Sequence, residues 1–250
     1  MTPELTHKRE RRKDARPGEL LEAALQLFVQ KGYAATKVED VAALAGVSKG
    51  TLFLYFPTKE DLLKAVVSEN LAQHFPAWNQ AFESFEGSSA EMLRFALHSW
   101  WEKIGSTPAS GICKLMISES RNFPDLLAFY VESVMRPGNI LLRRILERGM
   151  ANGEFRPMDA DIAVHTIVAP MIFLMIWENS MTAFSSSLSM SPMAFLEHQI
   201  GVLLHGLVAL PQILQLIQML IQFVCEISEA LDLSFLFYGA MMNHQMCAQN

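Results

Sequence analysis

At 250 residues and 51% hydrophobic, the chain has material for one large or two modest domains with a sizeable core. A net charge of −6 weighs against a nucleic-acid binder taken as a whole, and Cys113, Cys225 and Cys247 lack the spacing of a metal site or a disulfide framework. The polar, charged N-terminus predicts no secretory signal, and with the cysteine usage it points to a reducing, cytoplasmic setting in which Cys113 is a structural thiol rather than a redox sensor.

The charge is unevenly spread. Residues 1–64 carry 11 Lys/Arg against 9 Asp/Glu, the remainder carries 9 against 17, and no Lys or Arg follows Arg156. The C-terminal part therefore offers no nucleic-acid surface by charge. Residues 1–16 read as a basic arm in which Lys8, Arg9, Arg11, Arg12, Lys13 and Arg16 outnumber the acids. Such an arm suits phosphate or minor-groove contact, or is simply solvated and disordered; the two readings hold in turn with and without DNA.

Pro17 is expected to open a helix in which Leu21, Ala24, Leu25 and Phe28 repeat at helical spacing, with Gly32 near its end. The most informative stretch follows, over residues 36–64. Thr36 with Glu39 has the form of a capping box, predicting a helix start at Thr36, and Val38, Val41, Ala42 and Ala45 form one buried stripe. Gly46 ends that helix, Ser48 caps the next, and Pro57 stops it after Phe56. Thr58 with Asp61 begins a third. In the short middle helix Leu52 and Phe56 pack inward, Lys49 with Phe53 and Thr51 with Tyr55 form outward pairs, and Gly50 lets backbone come close to a partner. A short helix raised on such a turn fits the DNA major groove.

Gly46-Val47-Ser48-x-Gly50-Thr51-Leu52-Phe53-x-Tyr55-Phe56-x-x-Lys59-Glu60-x-Leu62 resembles the TetR (tetracycline-repressor-like) family, over residues 17–65. The resemblance implies an all-α fold: a three-helix helix-turn-helix DNA-binding domain at 17–64, then a larger helical ligand-binding and dimerisation domain at 65–210. It also implies a homodimeric repressor, released from a palindromic operator by a small molecule. Carried over, Thr36 and Lys37 would contact phosphate. Ser48, Lys49, Gly50, Thr51, Phe53 and Tyr55 would belong to the groove face, and Lys59 would hold a phosphate. Position 53 is often tyrosine in the family; Phe53 lacks the hydroxyl, leaving an apolar contact such as a thymine methyl.

Beyond the motif, residues 62–78 read as one long helix and Gly87-Ser88-Ser89 as a loop. Helices are expected at 90–104 and 111–120, and from Pro124 to about Met150 with a kink at Pro137-Gly138. A turn at 152–157 precedes apolar helices at 159–184 and 191–210, joined by a serine-rich linker. The resemblance makes these two the dimer pair, with Ala163, Ile167, Pro170, Met171 and Leu174 on the first and Phe195, Ile200, Leu203, Leu204 and Leu207 on the second. It also puts Trp100, Met116, Phe129, Phe173 and Trp177 on cavity-lining helices, beside Trp101, Met135 and Met175, for an apolar or aromatic ligand anchored by His98, His165 or Glu178. Taken singly, each such residue could equally be core.

Residues 211–250 extend past the usual family length. A membrane span is one reading, but Gln215, Gln218 and Gln222 make a polar stripe and Pro211 cuts the apolar run. A packed extra helix or an aberrant extension are the others. A membrane-associated sensor and a helical enzyme stand as alternative functions. No nucleophile elbow, phosphate-cradling glycine loop or metal-ligand cluster appears, and His98, His165, His198 and His205 are poorly spaced for one ion, so no catalytic group, cofactor or metal is expected.

Overall fold

Local caps punctuate the first third of the chain. In a computed structural model that describes residues 4–181, 190–207 and 219–223, with side chains from Pro17 onward, every regular element among the described residues is helical. The first four are α1 (Glu4–Lys31), α2 (Val38–Leu44), α3 (Lys49–Tyr55) and α4 (Lys59–Asn70). Gly46 at φ 67° lets the amides of Gly46 and Val47 turn back onto Ala43 O and Ala42 O, closing α2. Ser48 accepts the Thr51 amide and Thr58 accepts the Asp61 amide, starting α3 and α4 as expected.

Three expected boundaries are corrected. Helix α1 begins at Glu4 and passes through Pro17 rather than opening there. The Glu-, Lys-, Arg- and Ala-rich flank has high helix propensity, and Pro17 removes a single amide donor. Thr36 does not cap α2: Lys37 occupies the cap position, without a side-chain bond. The helix expected over 62–78 breaks at Leu71 (φ −125°, ψ −59°), and Pro76, with no amide proton, cannot give a bond back to Ala72. The domain boundary expected at 64/65 falls inside α4.

The body continues with a 3-10 turn (Ala72–His74), α5 (Phe75–Glu83), α6 (Ser89–Trp100), α7 (Ser110–Glu119), α8 (Pro124–Tyr130), α9 (Arg136–Ala151), α10 (Ala160–Ile176) and α11 (Pro192–Leu207). Three wide π turns, Trp101–Gly105, Val131–Met135 and Trp177–Met181, extend α6, join α8 to α9, and extend α10. The kink expected at Pro137 is the second of these. Pro137 has no N–H for Ser133 O, and the turn just before it widens. Gly153 at φ 71° closes α9 as Gly46 closes α2, and Phe155 folds back onto Gly149. Arg156 ties the turn after α9 to α11: its backbone amide and its Nε donate to Leu207 O and Gly206 O, each at 2.8 Å.

Two buried clusters result. One joins α1–α4 to the inner faces of α7 and α8 through Leu20, Phe28, Leu52, Leu62, Ile112 and Leu126. The other fills the body around Leu93, Ile145, Leu146, Phe155, Leu174 and Ile200. Helix α10 with its π turn is long and apolar enough to cross a membrane by length and composition, yet it packs on α7, α9 and α11. The linker expected at 185–191, the end of the last helix and the glutamine stripe lie wholly or partly outside the described residues.

Candidate nucleic-acid interface and ligand cavity

Helix α3 is supported from beneath and open in front. Leu52 is fully buried, and Phe56 packs partly buried against the head core. Lys49, Gly50, Phe53, Leu54 and Tyr55 face solvent, with Thr51 half-buried. The Lys49 ammonium lies 2.6 Å from Glu39 and 5.6 Å from the Phe53 ring centroid. That hydrogen bond holds the Glu39 carboxyl below its ordinary range. The Ser48 and Thr51 hydroxyls stand 2.9 Å apart within the cap. Lys37 is exposed at the start of α2.

Two expected phosphate ligands are otherwise occupied. Thr36 is 1% exposed, and its hydroxyl points inward, 2.7 Å from Gly32 O and 3.2 Å from Leu27 O. The chain turns at Gly32 (φ 84°), which swings position 36 under the head instead of onto its surface. The Lys59 ammonium donates to Tyr33 O at 2.8 Å, Thr36 O at 3.1 Å and Ala34 O at 3.3 Å, and sits 4.4 Å over the Tyr33 ring. Desolvation pulls the Lys59 ammonium below its ordinary range, and the charge of Glu119 opposes this. Lys59 therefore gathers the orphan carbonyls between α1 and α2.

The same loop is held from the body. The Ala34 amide donates to Glu119 Oε1 of α7 at 3.3 Å, and Tyr33 meets the Phe123 ring edge-on at 4.6 Å. Higher on α7, Gly111 lies flush against α1: a Cβ there would stand 2.5 Å from Val29 Cγ1. Sequence reasoning missed Tyr33, Glu119, Phe123 and Leu54. The first three act across the fold and leave no local pattern; Leu54 could have been found by its place opposite Leu52 on a 3.6-residue turn.

A cavity of about 200 Å³ opens in the body among α5–α10. Its lining includes Phe75, Trp78, Trp100, Cys113, Ile117, Tyr130, Met135, Asn139, Met171 and Met175, and among the described residues it carries no Lys, Arg, Asp, Glu or His. The Cys113 thiol and Tyr130 phenol are hydrogen-bonded, and burial pushes both above their ordinary ranges, so both are neutral. Trp78 Nε1 donates to Ser99 Oγ at 2.7 Å.

Of the expected ligand residues, Trp100, Met135 and Met175 line this cavity. Met116 is buried in the core beneath the head, and Phe129 faces Lys64, 5.7 Å from the ring centroid. Phe173, 45% exposed, stacks at a tilt on Phe195 and Trp177 outside the cavity. The expected anchors are also elsewhere: His98 lies 2.8 Å from Glu197, His165 is exposed on α10, and Glu178 is not among the lining residues. Asn139, half a chain away from the motif, is the polar side chain at the wall that sequence reasoning passed over.

The expected dimer residues Ala163, Ile167, Met171 and Leu174 on α10, and Ile200 and Leu207 on α11, are buried inside the protomer. The outward apolar residues are Ile162, Phe173, Met193 and Val202. Helix α10 is apolar on every side, so composition could not say which side met the core.

Family models match most of this architecture: bacterial regulatory proteins of the tetR family over residues 20–66, and a tetracyclin repressor-like C-terminal domain over residues 86–183. The transcriptional repressor KstR2 of Mycolicibacterium smegmatis is 30% identical over 155 residues, spanning 61% of this chain and 74% of its own. A transcriptional regulator from Saccharomonospora viridis, solved in complex with choline, aligns at a TM-score of 0.64 with 21% identity, over 79% of this chain and 99% of its own. The ketosteroid transcriptional regulator KstR2 of Mycobacterium tuberculosis aligns at 0.59 with 20% identity, over 78% and 95%.

Proposed function

The chain belongs to the TetR family and is a DNA-binding transcriptional regulator, and on that premise we propose that it is a cytoplasmic, homodimeric repressor that a small, neutral, apolar molecule releases from a palindromic operator. Two copies of α3 enter successive major grooves, about 34–36 Å apart. Lys49, Gly50, Thr51, Phe53 and Tyr55 lie along the groove, while Lys37 and the basic residues before Pro17 meet phosphate. Dimerisation uses the outward side of α10 and α11, where Ile162 is 64% and Val202 57% exposed.

The ligand class follows from the cavity wall. A charged group carried inside would lose its hydration and find no opposite charge there, a penalty of several kcal/mol per ion by order of magnitude. Aromatic and methionine side chains offer dispersion contact, and Asn139 offers one directional hydrogen bond.

The observation that carries the coupling is the course of α7. Cys113 and Ile117 stand in the cavity wall, Gly111 abuts Val29 of α1, and Glu119 and the following Phe123 hold the loop at Ala34 and Tyr33. A ligand that moves α7 acts on the base of the DNA head in the same motion, shifting the population of head spacings. The test is fluorescence anisotropy on an operator selected from random DNA, with neutral apolar compounds titrated in. Release by compounds that also quench the cavity tryptophans, and no release in a Trp100→Ala variant that still binds DNA, is expected. Release unaffected by Trp100→Ala would contradict the cavity assignment.

A further inference from the structure

We propose that Leu54 is the residue that reads sequence at the centre of the groove face, by seating the C5-methyl group of a thymine. This rests on the DNA-binding reading above and goes beyond it by naming the base feature recognised.

Leu54 follows the buried Leu52 by two residues, about 200° around a 3.6-residue turn, which puts it opposite the core. It is 83% exposed, while Phe53 beside it is 37% exposed. Gly50, one turn earlier, shares its ridge, and a Cβ built there would meet only Ser48 Oγ, at 3.8 Å. The front ridge of α3 is therefore Gly50 and Leu54, with open space above the glycine.

Two of the flanking polar side chains are held by neighbours in the head, and the third, Tyr55, stands exposed at the end of the helix. Lys49 lies against Glu39, and the Thr51 hydroxyl is joined to that of Ser48 in the cap. The front ridge of α3 thus carries a branched apolar side chain and no side-chain hydrogen-bonding group. A leucine in this position gains nothing from water or phosphate. Among the features that the four base pairs show in the major groove, the apolar one is the thymine methyl. Leu54 matches it in chemistry, and the bare Gly50 backbone permits the approach. Each half-site should then hold one thymine whose methyl group, rather than its hydrogen-bonding edge, is read.

The experiment uses the full-length protein and a duplex selected by it from random DNA. Each thymine is replaced in turn by deoxyuridine, which deletes the methyl and keeps every hydrogen-bonding group. Binding is measured by anisotropy at fixed salt for the wild type and Leu54→Ala. One thymine per half-site should respond, the uridine duplex binding about fourfold more weakly to the wild type, the loss expected for one buried methyl. Leu54→Ala should bind thymine and uridine duplexes equally at that position. A cytosine there should bind weakly and recover when 5-methylated. The proposal is overturned if Leu54→Ala keeps the wild-type thymine preference at every position, or if it weakens thymine and uridine duplexes alike. A wild type that binds no duplex would instead remove the DNA-binding reading itself. Because Leu54 touches little of its own fold, its replacement leaves folding unchanged.

Discussion

The DNA head and the body differ in how their helices are fastened. Between residues 36 and 64 the ends are set by near neighbours: Ser48 with Thr51, Thr58 with Asp61, and Gly46 with Ala42 and Ala43. The body has local caps too, the Ser88–Glu91 box, Asp159 and Ser191, but it adds ties between elements far apart in the chain. Arg156 donates to Gly206 O of α11 at 2.8 Å, and the Lys114 ammonium holds Asn179 O at 2.9 Å, at the π turn after α10. Locally closed helices keep their geometry when the surroundings move, whereas a body of wide turns around a cavity can repack. That division suits a head that presents one fixed surface and a body that responds to what fills it.

The comparison can be broken hardest in the body core. Phe155→Ala should cost about 4 kcal/mol in denaturant unfolding, because a 2%-exposed ring is deleted and Gly149 is left beside a void. A loss near zero would show that the end of α9 does not depend on this cover.

Next comes a non-local tie within the head. Lys59→Ala leaves the Ala34 and Thr36 carbonyls without their side-chain donor and the Tyr33 carbonyl with the Thr36 amide, and should cost about 2 kcal/mol, with DNA affinity falling in parallel. Unchanged thermal stability with weaker DNA binding would return Lys59 to the phosphate role that the sequence pattern implies. Gly111→Ala drives a methyl into Val29 at the seam between head and body and should cost about 1–2 kcal/mol. Its more telling effect is on ligand release, which should change in extent while operator affinity without ligand changes less. Equal changes in both would argue against α7 as the connecting element.

Smaller effects sharpen the surface assignments. Lys37→Ala should move stability by less than about 0.5 kcal/mol. It should weaken binding to all duplexes and make the salt slope shallower by about one unit. The smallest effect concerns pH. The Ser88 backbone amide, and then its hydroxyl, hold the Glu91 carboxyl below the ordinary carboxylate range. Its contribution to α6 is therefore present above the unfolded-state value and is lost as pH falls through the folded-state value. Glu91→Gln should flatten that part of the acid unfolding curve; an identical curve would show the box to be idle.

How much of this was legible in the sequence follows the same division. The α2–α3–α4 motif could be read because Gly46, Ser48, Pro57 and Thr58 act within three or four residues of themselves. Thr36 misled because Thr-x-x-Glu satisfies a local pattern while the turn at Gly32 buries its hydroxyl. The carbonyl partners of Lys59 escaped the sequence because they lie more than 20 residues back. The cavity could not be read from composition: Met116 and Phe173 are as apolar as Met175 and Trp100, and only packing separates those that face a void from those that fill one. For the same reason the sequence did not separate the core side of α10 from its outward side: Ala163, Ile167, Met171 and Leu174 are buried in the protomer, while Pro170 is half-buried. Leu54, by contrast, was there to be read, opposite Leu52.

The central claim is that α3 of each of two copies occupies the major groove. Guanine-N7 methylation interference on the selected operator tests it most directly, since that atom is exposed only in the major groove. Two clusters of interference centred one helical turn apart, about 10–10.5 base pairs, are expected, with both weakened by Lys49→Ala. A single cluster, or full binding to a duplex methylated throughout both half-sites, would contradict it.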